Sequence, residues 1–188
     1  PLVKCLAACR KYGVQCHVWK VNWNTGGHAP KEFLEKMKQE GRTQVRFDGT
    51  PGEAWLCPSH PENRKLECAA MLEVATKYEV DGIHFDYIRY NGHDVCFCAG
   101  CRQRFEEKSG RKIANWPKDV RADKALEAQW QDFRREQITA LVQMVSEQVR
   151  KVRPKVKISA AVFPNWAMDR DGVGQDWKLW CERGYVDF

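Results

Sequence analysis

The alternation of apolar and polar side chains along the chain predicts strands separated by helices. Strands are indicated where β-branched and aromatic residues alternate with polar ones or run together between turn signals. The predicted strands cover residues 14–23, 80–90 and 156–163, and a fourth begins at residue 185 and reaches the chain end. Two shorter extended segments, residues 45–47 and 54–56, flank a turn rich in Gly and Pro.

Apolar residues at helical spacing predict the helices that connect these strands. The longest helix follows the break at Trp116-Pro117 and reaches Val152 with a continuous apolar stripe. Another begins at an S-x-x-E capping box, in which Ser59 and Glu62 would satisfy the first backbone amides. The other predicted helices cover residues 2–12, 30–40, 101–108 and 174–183, and residues 91–100 and 164–174 are predicted loops.

The repeated strand–helix order predicts parallel strands covered by helices, an α/β fold. About four βα units fit into the 188 residues, whereas a complete TIM-type (β/α)₈ barrel needs about 250. The alternative is an open α/β sheet, but the abrupt ends at Pro1 and Phe188 favour a central piece of a barrel. We therefore expect one domain, residues 1–188, that is a partial (β/α) barrel truncated at both ends.

Composition and charge exclude several classes of protein. Hydrophobic residues make up 43% and charged residues 30%, which excludes a disordered or collagen-like chain. No apolar run approaches the roughly 20 residues of a membrane span. The net charge of +6 comes from basic residues that alternate with acidic ones, as on solvated helix faces. We expect no nucleic-acid partner and no membrane span, and the oligomeric state stays open.

The ends of the predicted strands carry the candidate functional residues. In parallel α/β folds, functional side chains gather at the carboxyl ends of the strands and in the loops that follow. Aromatic faces there would stack on sugar rings, and the polar side chains would bond the hydroxyl groups. The candidate substrate-binding residues are Trp19, Asn22, Trp23, His84, Tyr87, Arg89, Asn165 and Trp166.

The predicted strand 80–90 carries the most distinctive pattern. Strand alternation sets His84 and Asp86 on one face and the apolar residues Ile83, Phe85 and Tyr87 on the other. A polar face on a strand between helices is expected where that strand lines the mouth of a barrel. The structural alternative is a buried ion pair of Asp86 with a cation such as Arg89.

The segment Asp-Gly-Ile-His-Phe-Asp-Tyr-Ile-Arg-Tyr, residues 81–90, resembles the hallmark strand of the bacterial glycosyl hydrolase-like family 10 barrels. Companion matches follow the same order at residues 17–19, 55–62 and 184–188. The resemblance implies a (β/α)₈ barrel that acts on polysaccharide or peptidoglycan-type glycans of the cell wall. The chain would hold about the third to the sixth strand. We accordingly expect an extracytoplasmic protein that is periplasmic, secreted or lipid-anchored.

Similarity to retaining barrels of this kind assigns Asp86 as nucleophile or stabiliser, with His84 and Arg89 holding it ionised and contacting the sugar. Glycoside hydrolysis normally uses two carboxyl groups, and Asp187 is the best-placed second candidate by the strand-end rule. Asp169 and Asp171 are the remaining candidates. The alternative function is a non-catalytic glycan-binding barrel.

The chain departs from the family pattern at two positions. Many members carry Asp where this chain has Cys57, and Pro where it has Asn91. These departures bear on the geometry of the loops around the strand ends and leave the expected fold unchanged.

Three of the nine cysteines, Cys96, Cys98 and Cys101, lie within six residues. Such spacing is typical of structural zinc sites, and a disulfide or free thiols are the alternatives. The possible fourth ligands are Cys57, His60, His93 and Asp94. The cysteines predicted to be buried apolar residues are Cys5, Cys9, Cys16, Cys68 and Cys181. We expect no other cofactor.

Two further interpretations concern the basic and imidazole side chains. His17 and His28 have no partner at metal-ligand spacing, so a pocket or core position is favoured for His17. A nucleic-acid module held together by zinc is a third function class. It predicts that affinity for polyanions falls steeply with salt.

Overall fold

The computed structural model describes residues 1–27 and 29–188. His28 and the side chain of Glu53 lie outside the described residues. The strands of the described part are β1 (His17–Val21), β2 (Thr43–Val45), β3 (Pro51–Leu56), β4 (Gly82–Asp86) and β5 (Lys157–Ala160). Its helices are α1 (Leu2–Tyr12), α2 (Lys31–Gln39), α3 (Pro61–Lys77), α4 (Ala99–Ser109), α5 (Lys118–Ala122), α6 (Lys124–Val152), α7 (Trp166–Gly172) and α8 (Trp177–Glu182).

The central sheet consists of three parallel strands in the order β1–β4–β5. The register sets Val18 opposite Ile83, and Ile83 opposite Ile158. Because paired residues of a sheet point to the same side, these apolar side chains form one face, in which Ile83 and Ile158 are fully buried. Helix α3 covers this side, since its Glu67 forms an ion pair with Lys20 of the same face.

Helix α6 packs against α3. Its N-terminus is capped by Asp123, whose carboxylate accepts hydrogen bonds from the amides of Ala125 (2.9 Å) and Leu126 (3.2 Å). The buried residues of α6 recur at helical spacing, as the predicted apolar stripe requires. The buried apolar residues are Leu126, Trp130, Phe133, Ile138, Leu141, Val142, Val145 and Val149.

The antiparallel pair β2–β3 lies at the carboxyl end of the central sheet. The amide of Leu56 donates to the carbonyl of Trp23 (2.8 Å), just after β1. The amide of Phe97, in the loop after β4, donates to the carbonyl of Val45 (2.8 Å). This hairpin therefore joins the loops that follow two neighbouring parallel strands.

The last residues of the chain extend the sheet beyond β5. The amide of Asp187 donates to the carbonyl of Ile158 (2.7 Å), and the amide of Ala160 donates to the carbonyl of Phe188 (3.3 Å). The predicted fourth strand is thus present as a hydrogen-bonded segment, although it is too short to count as a regular strand.

The face of the sheet opposite α3 is open. Trp19, on this face of β1, exposes 65% of its surface, and Phe188 exposes 67%. In a closed barrel this face lines the interior. The fold is a partial TIM-type (β/α)₈ barrel, which confirms the predicted architecture. No helix of the described residues is both long and apolar enough to cross a membrane.

Local structure differs from the prediction at α7 and at the start of α3, and the long helix predicted after Pro117 is divided into α5 and α6. Residues 166–172, predicted as loop, form the helix α7, because Asn165 caps its first turn by accepting from the amide of Met168 (3.4 Å). The predicted capping box does not form, since α3 begins after His60 with no side-chain cap. The Ser59 hydroxyl instead contacts the Cys101 thiol at 3.0 Å.

Candidate functional site

Asp86 ends β4 at the carboxyl edge of the sheet. Its carbonyl accepts a hydrogen bond from the Asn22 amide (2.8 Å), which aligns the ends of β1 and β4. Its carboxylate oxygen Oδ2 is buried and has no hydrogen-bond partner among the described residues. Burying such an oxygen is costly unless something bonds it. Asp86 lines a cleft of about 210 Å³ together with Tyr87, Arg89, Ala161, Val162, Phe163 and Gln175.

Tyr87 follows Asp86 in a left-handed backbone conformation with φ of 52°. Residues other than Gly, Asn and Asp rarely adopt this conformation, and backbone strain of this kind concentrates at functional sites. The turn carries the Tyr87 ring to 5.6 Å from the Trp55 ring. Tyr87 therefore lines the cleft and does not continue the alternation that the predicted strand 80–90 assigns to it.

Arg89 stands among three aromatic rings. Its guanidinium carbon lies 5.4 Å from the ring centre of Trp55, 4.9 Å from Tyr87 and 5.0 Å from Phe163. Burial lowers the pKa of Arg89, while the charges of Tyr87 and Asp86 act in the opposite direction. The expected ion pair with Asp86 is not formed among the described residues, because the guanidinium donates to the Tyr90 carbonyl (3.0 Å).

His84 lies two residues before Asp86 on β4. Its side chain is on the open face of the sheet. Its Nδ1 is 2.8 Å from the hydroxyl of Ser159 on β5. Burial lowers the pKa of His84, as does the nearby His17, while Asp86 raises it. The ring is therefore neutral at neutral pH. The register also sets Trp19 of β1 directly opposite His84, so these two predicted residues are neighbours on the open face.

Asn22 and Trp23 lie in the core, and this corrects their predicted contact with substrate. Both are fully buried. The Asn22 side-chain amide donates to Glu67 Oε2 (2.7 Å), and the Trp23 backbone amide donates to Glu67 Oε1 (3.3 Å). Trp23 has a φ of 62°, which turns the chain inward after β1. These residues support the site from inside the fold.

Asn165 and Trp166 follow β5 but do not line the Asp86 cleft. Asn165 is the N-cap of α7. The Trp166 indole donates to Asp176 (2.8 Å), and the cations of Arg170 and Lys178 lie 4.9 Å and 5.1 Å from its ring centre. The ring is partly exposed, yet its surroundings are those of a surface cation–π cluster.

Asp187 does not lie close to Asp86. Its carboxylate accepts from the Ile158 amide (2.8 Å) and pairs with Arg150 (3.4 Å) and Lys157 (3.7 Å). The register pairs Phe85 with Ala160, the last residue of β5, so Asp86 lies level with Ala161, three positions beyond Ile158. At about 3.3 Å per residue, the backbone levels of Asp86 and Asp187 are separated by about 10 Å along the strand direction. Asp187 is held in ion pairs at the amino end of β5.

Four cysteines form a buried group beside the site, which we call the thiol cluster: Cys57, Cys96, Cys98 and Cys101. Their sulfur atoms all lie within 4.8 Å of one another, and all four are free thiols. Burial alone would raise the pKa of Cys57, but hydrogen bonds from the other thiols and from Ser59 lower it well below its usual value. Burial raises the pKa of Cys96 and Cys101. Of the possible fourth ligands, the structure brings Cys57 into the group.

Of the five remaining cysteines, all predicted to be buried, two are buried and three are not. Cys16 and Cys68 are buried, and burial raises the pKa of each thiol to about 11. Cys5 and Cys181 are exposed, whereas Cys9 is partly buried. Cys5, Cys9 and Cys16 also lie within 4.8 Å of one another, at the edge of α1.

Three residues that shape the cleft are absent from the predicted substrate-binding set. Trp55 and Phe163 form two of the rings around Arg89. Gln175 is buried, accepts from the Phe163 amide (3.0 Å) and donates to the Ala161 carbonyl (3.2 Å), which fixes the loop after β5. The position of Phe163 at a predicted strand end was a usable signal, whereas Gln175 has none in the local pattern.

Comparisons with known proteins agree with this geometry. A family model described as "Glycosyl hydrolase-like 10" matches residues 16–188. Glycosyl hydrolase DigH of Escherichia coli K12 is 23% identical over 214 aligned residues, which cover 100% of this chain and 44% of DigH. An S-layer-related protein of Niallia circulans is 29% identical over 123 residues, covering 58% of this chain and 8% of that protein. The chain spans less than half the length of either relative.

Solved structures share the fold. The PgaB (BpsB) glycoside hydrolase domain of Bordetella bronchiseptica aligns with a TM-score of 0.66 at 15% identity, over 89% of this chain and 48% of that one. A β-galactosidase from Rahnella sp. R3 aligns with a TM-score of 0.70 at 16% identity, over 100% of this chain and 30% of that one. At these identities the likeness concerns the barrel architecture.

Proposed function

Because the chain belongs to the glycosyl hydrolase-like 10 family, we propose that it carries one side of a glycoside hydrolase active site centred on Asp86. One observation supports this most strongly. The carboxylate of Asp86 ends the central parallel strand with a buried, unpartnered oxygen that lines a cleft. Carboxyl ends of barrel strands are where this fold performs chemistry.

In this proposal Asp86 is the nucleophile or the charge that stabilises the transition state. Glycoside cleavage develops positive charge on the sugar, and a carboxylate beside it lowers the barrier. Arg89 places a positive charge in the same cleft. The neutral His84 offers a ring nitrogen to a sugar hydroxyl. The second carboxyl group belongs to another strand of the closed barrel.

The walls of the cleft suit a carbohydrate. Phe163 and Tyr87 expose 42% and 36% of their surface beside Asp86, and Trp19 stands on the same open side. Ring faces of this kind stack on the C–H surfaces of sugars, while a few polar groups fix orientation. We infer a polysaccharide or peptidoglycan-type substrate and, with it, an extracytoplasmic location.

A screen of the complete barrel protein against glycans tests this proposal. Purified peptidoglycan and a panel of neutral polysaccharides are incubated with the protein, and new reducing ends are counted. We expect new reducing ends to be released from at least one glycan. Analysis of the soluble products then identifies the cleaved linkage. Binding to a glycan with no cleavage of any member of the panel would contradict hydrolysis.

That contrary result would support a non-catalytic glycan-binding barrel. One observation favours this second function, namely that Asp86 is the single acidic side chain among the described residues that line the cleft. A barrel that lost its second carboxyl group retains aromatic walls and binds without cleaving.

A further inference from the structure

We propose that the thiol cluster is a structural zinc site with Cys57, Cys96, Cys98 and Cys101 as its four ligands. Four-cysteine sites bind Zn²⁺ in a closed tetrahedron that adds folding energy and takes no part in chemistry. This proposal does not rest on the glycan function. It adds a fourth ligand, Cys57, from a segment distant in sequence from the other three.

The spacing of the sulfur atoms fits such a tetrahedron. A Zn–S bond of about 2.3 Å gives sulfur atoms about 3.8 Å apart in tetrahedral geometry. The Cys57 sulfur lies 3.8 Å from that of Cys98 and 3.4 Å from that of Cys101. The whole group lies within 4.8 Å. All four side chains are buried, as the closed coordination of a structural site requires.

Hydrogen-bond donors already point at the sulfur atoms. The backbone amide of Val45 donates to Cys96 Sγ (3.3 Å), and that of Cys101 donates to Cys98 Sγ (3.4 Å). The Ser59 hydroxyl lies 3.0 Å from Cys101 Sγ and is itself held by the Arg104 guanidinium at 3.0 Å. Donors in this second layer orient metal ligands and stabilise negative charge on them.

The charges around the cluster supply an independent argument. Arg134 is buried, with 2% of its surface exposed, and among the described residues it donates to carbonyls alone, those of Gly92, Asp171 and Gly172. Among the described residues no carboxylate forms an ion pair with Arg134, and the thiols Cys96 and Cys101 are among the groups near enough to act on its charge. Buried cations require a compensating charge, and four thiolates around one Zn²⁺ carry a net charge of −2.

The site would join two segments of the barrel mouth. Cys57 follows β3, two residues after Trp55, and Cys98 is the N-cap of α4. Zinc would therefore fasten the hairpin that carries Trp55 to the loop that follows β4.

Metal analysis of the protein, purified without chelators from cells grown with zinc, tests the proposal. We expect one zinc per chain by plasma mass spectrometry and by native mass spectrometry. Cobalt substitution should add sulfur-to-cobalt charge-transfer bands and the visible bands of a tetrahedral Co²⁺ site. These spectra are recorded on the unchanged sequence, so they do not depend on whether a variant folds.

Variants then locate the ion. Cys101→Ser should lose the zinc and the cobalt bands, whereas Cys5→Ser, which alters the other group of three cysteines, should retain both. Cys101→His, which keeps a zinc-binding side chain, should retain the metal with shifted cobalt bands. Absence of zinc from the folded protein, stoichiometric iron in its place, or zinc lost in Cys5→Ser and kept in Cys101→Ser would each overturn the assignment.

Discussion

The guanidinium carbon of Arg89 lies 5.4 Å from the ring centre of Trp55. This contact joins the segment after β4 to the β2–β3 hairpin, which are more than thirty positions apart in the chain. The ring centre of Phe163, after β5, lies 5.0 Å from the same guanidinium carbon. The wall of the Asp86 cleft thus draws on three separate segments, and its shape depends on the cation that they share.

Replacing Arg89 by Gln is expected to weaken glycan binding about five-fold, since a partly buried cation–π contact is worth about 1 kcal/mol. Isothermal titration with the glycan found in the substrate screen measures the effect. The matched control is Arg121→Gln, which removes a cation 4.4 Å from the Phe47 ring, outside the cleft. Equal losses of affinity in the two variants would show that Arg89 has no special part in binding.

Trp19 and Trp23 are expected to respond oppositely to replacement by Ala. Trp23→Ala should lower the free energy of unfolding by about 3–5 kcal/mol, the usual cost of removing a buried aromatic ring. Trp19→Ala should change it by no more than about 0.5 kcal/mol, because the ring is exposed. Its effect should fall on glycan affinity instead. Urea denaturation compares the stabilities, and equal destabilisation by both would contradict the open face.

The strand-end rule ranked these two tryptophans equally, and the reason is physical. Strand and helix order follow from local periodicity, so the parallel sheet and the position of Asp86 could be predicted from the sequence. The burial of Trp23 depends on a backbone turn with φ of 62° and on Glu67, which lies 44 positions away. The same limit hid Cys57 among four possible ligands, because its partner Cys101 lies 44 positions further on.

Glu67→Gln is expected to destabilise the fold by about 1.5–3 kcal/mol, the range for hydrogen bonds to a buried charged group. Its carboxylate accepts from Lys20, from the Asn22 side chain and from the Trp23 amide. Glu73→Gln, on the same helix, is the matched control. It breaks only an exposed ion pair with Lys77, so it should cost no more than about 0.5 kcal/mol. Thermal or urea unfolding measures both stabilities, and equal losses in the two variants would contradict the role of Glu67.

Stability should fall in acid partly because of Glu106. Hydrogen bonds from Arg102, the Ile113 amide and Lys112 lower the pKa of its carboxyl from its ordinary 4.5 to about 2. A lowered pKa favours the ionised form in the folded state, so its contribution is fully present above about pH 4.5 and is lost as the pH falls towards about 2. The stability difference between wild type and Glu106→Gln should therefore shrink across that window. A difference that stays constant across that window would refute this.

The role of Asp86 is tested most directly by the kcat of Asp86→Asn in the complete barrel protein, on the glycan that it cleaves. We expect kcat to fall by on the order of 10³-fold or more, with glycan affinity largely retained, because Asn keeps the shape of the side chain. Asp81→Asn changes the same chemical group at the opposite end of the same strand, where its carboxylate accepts from the Cys16 amide (2.7 Å), and it should keep its activity. Full activity of Asp86→Asn would contradict the assignment of this carboxylate as the catalytic group.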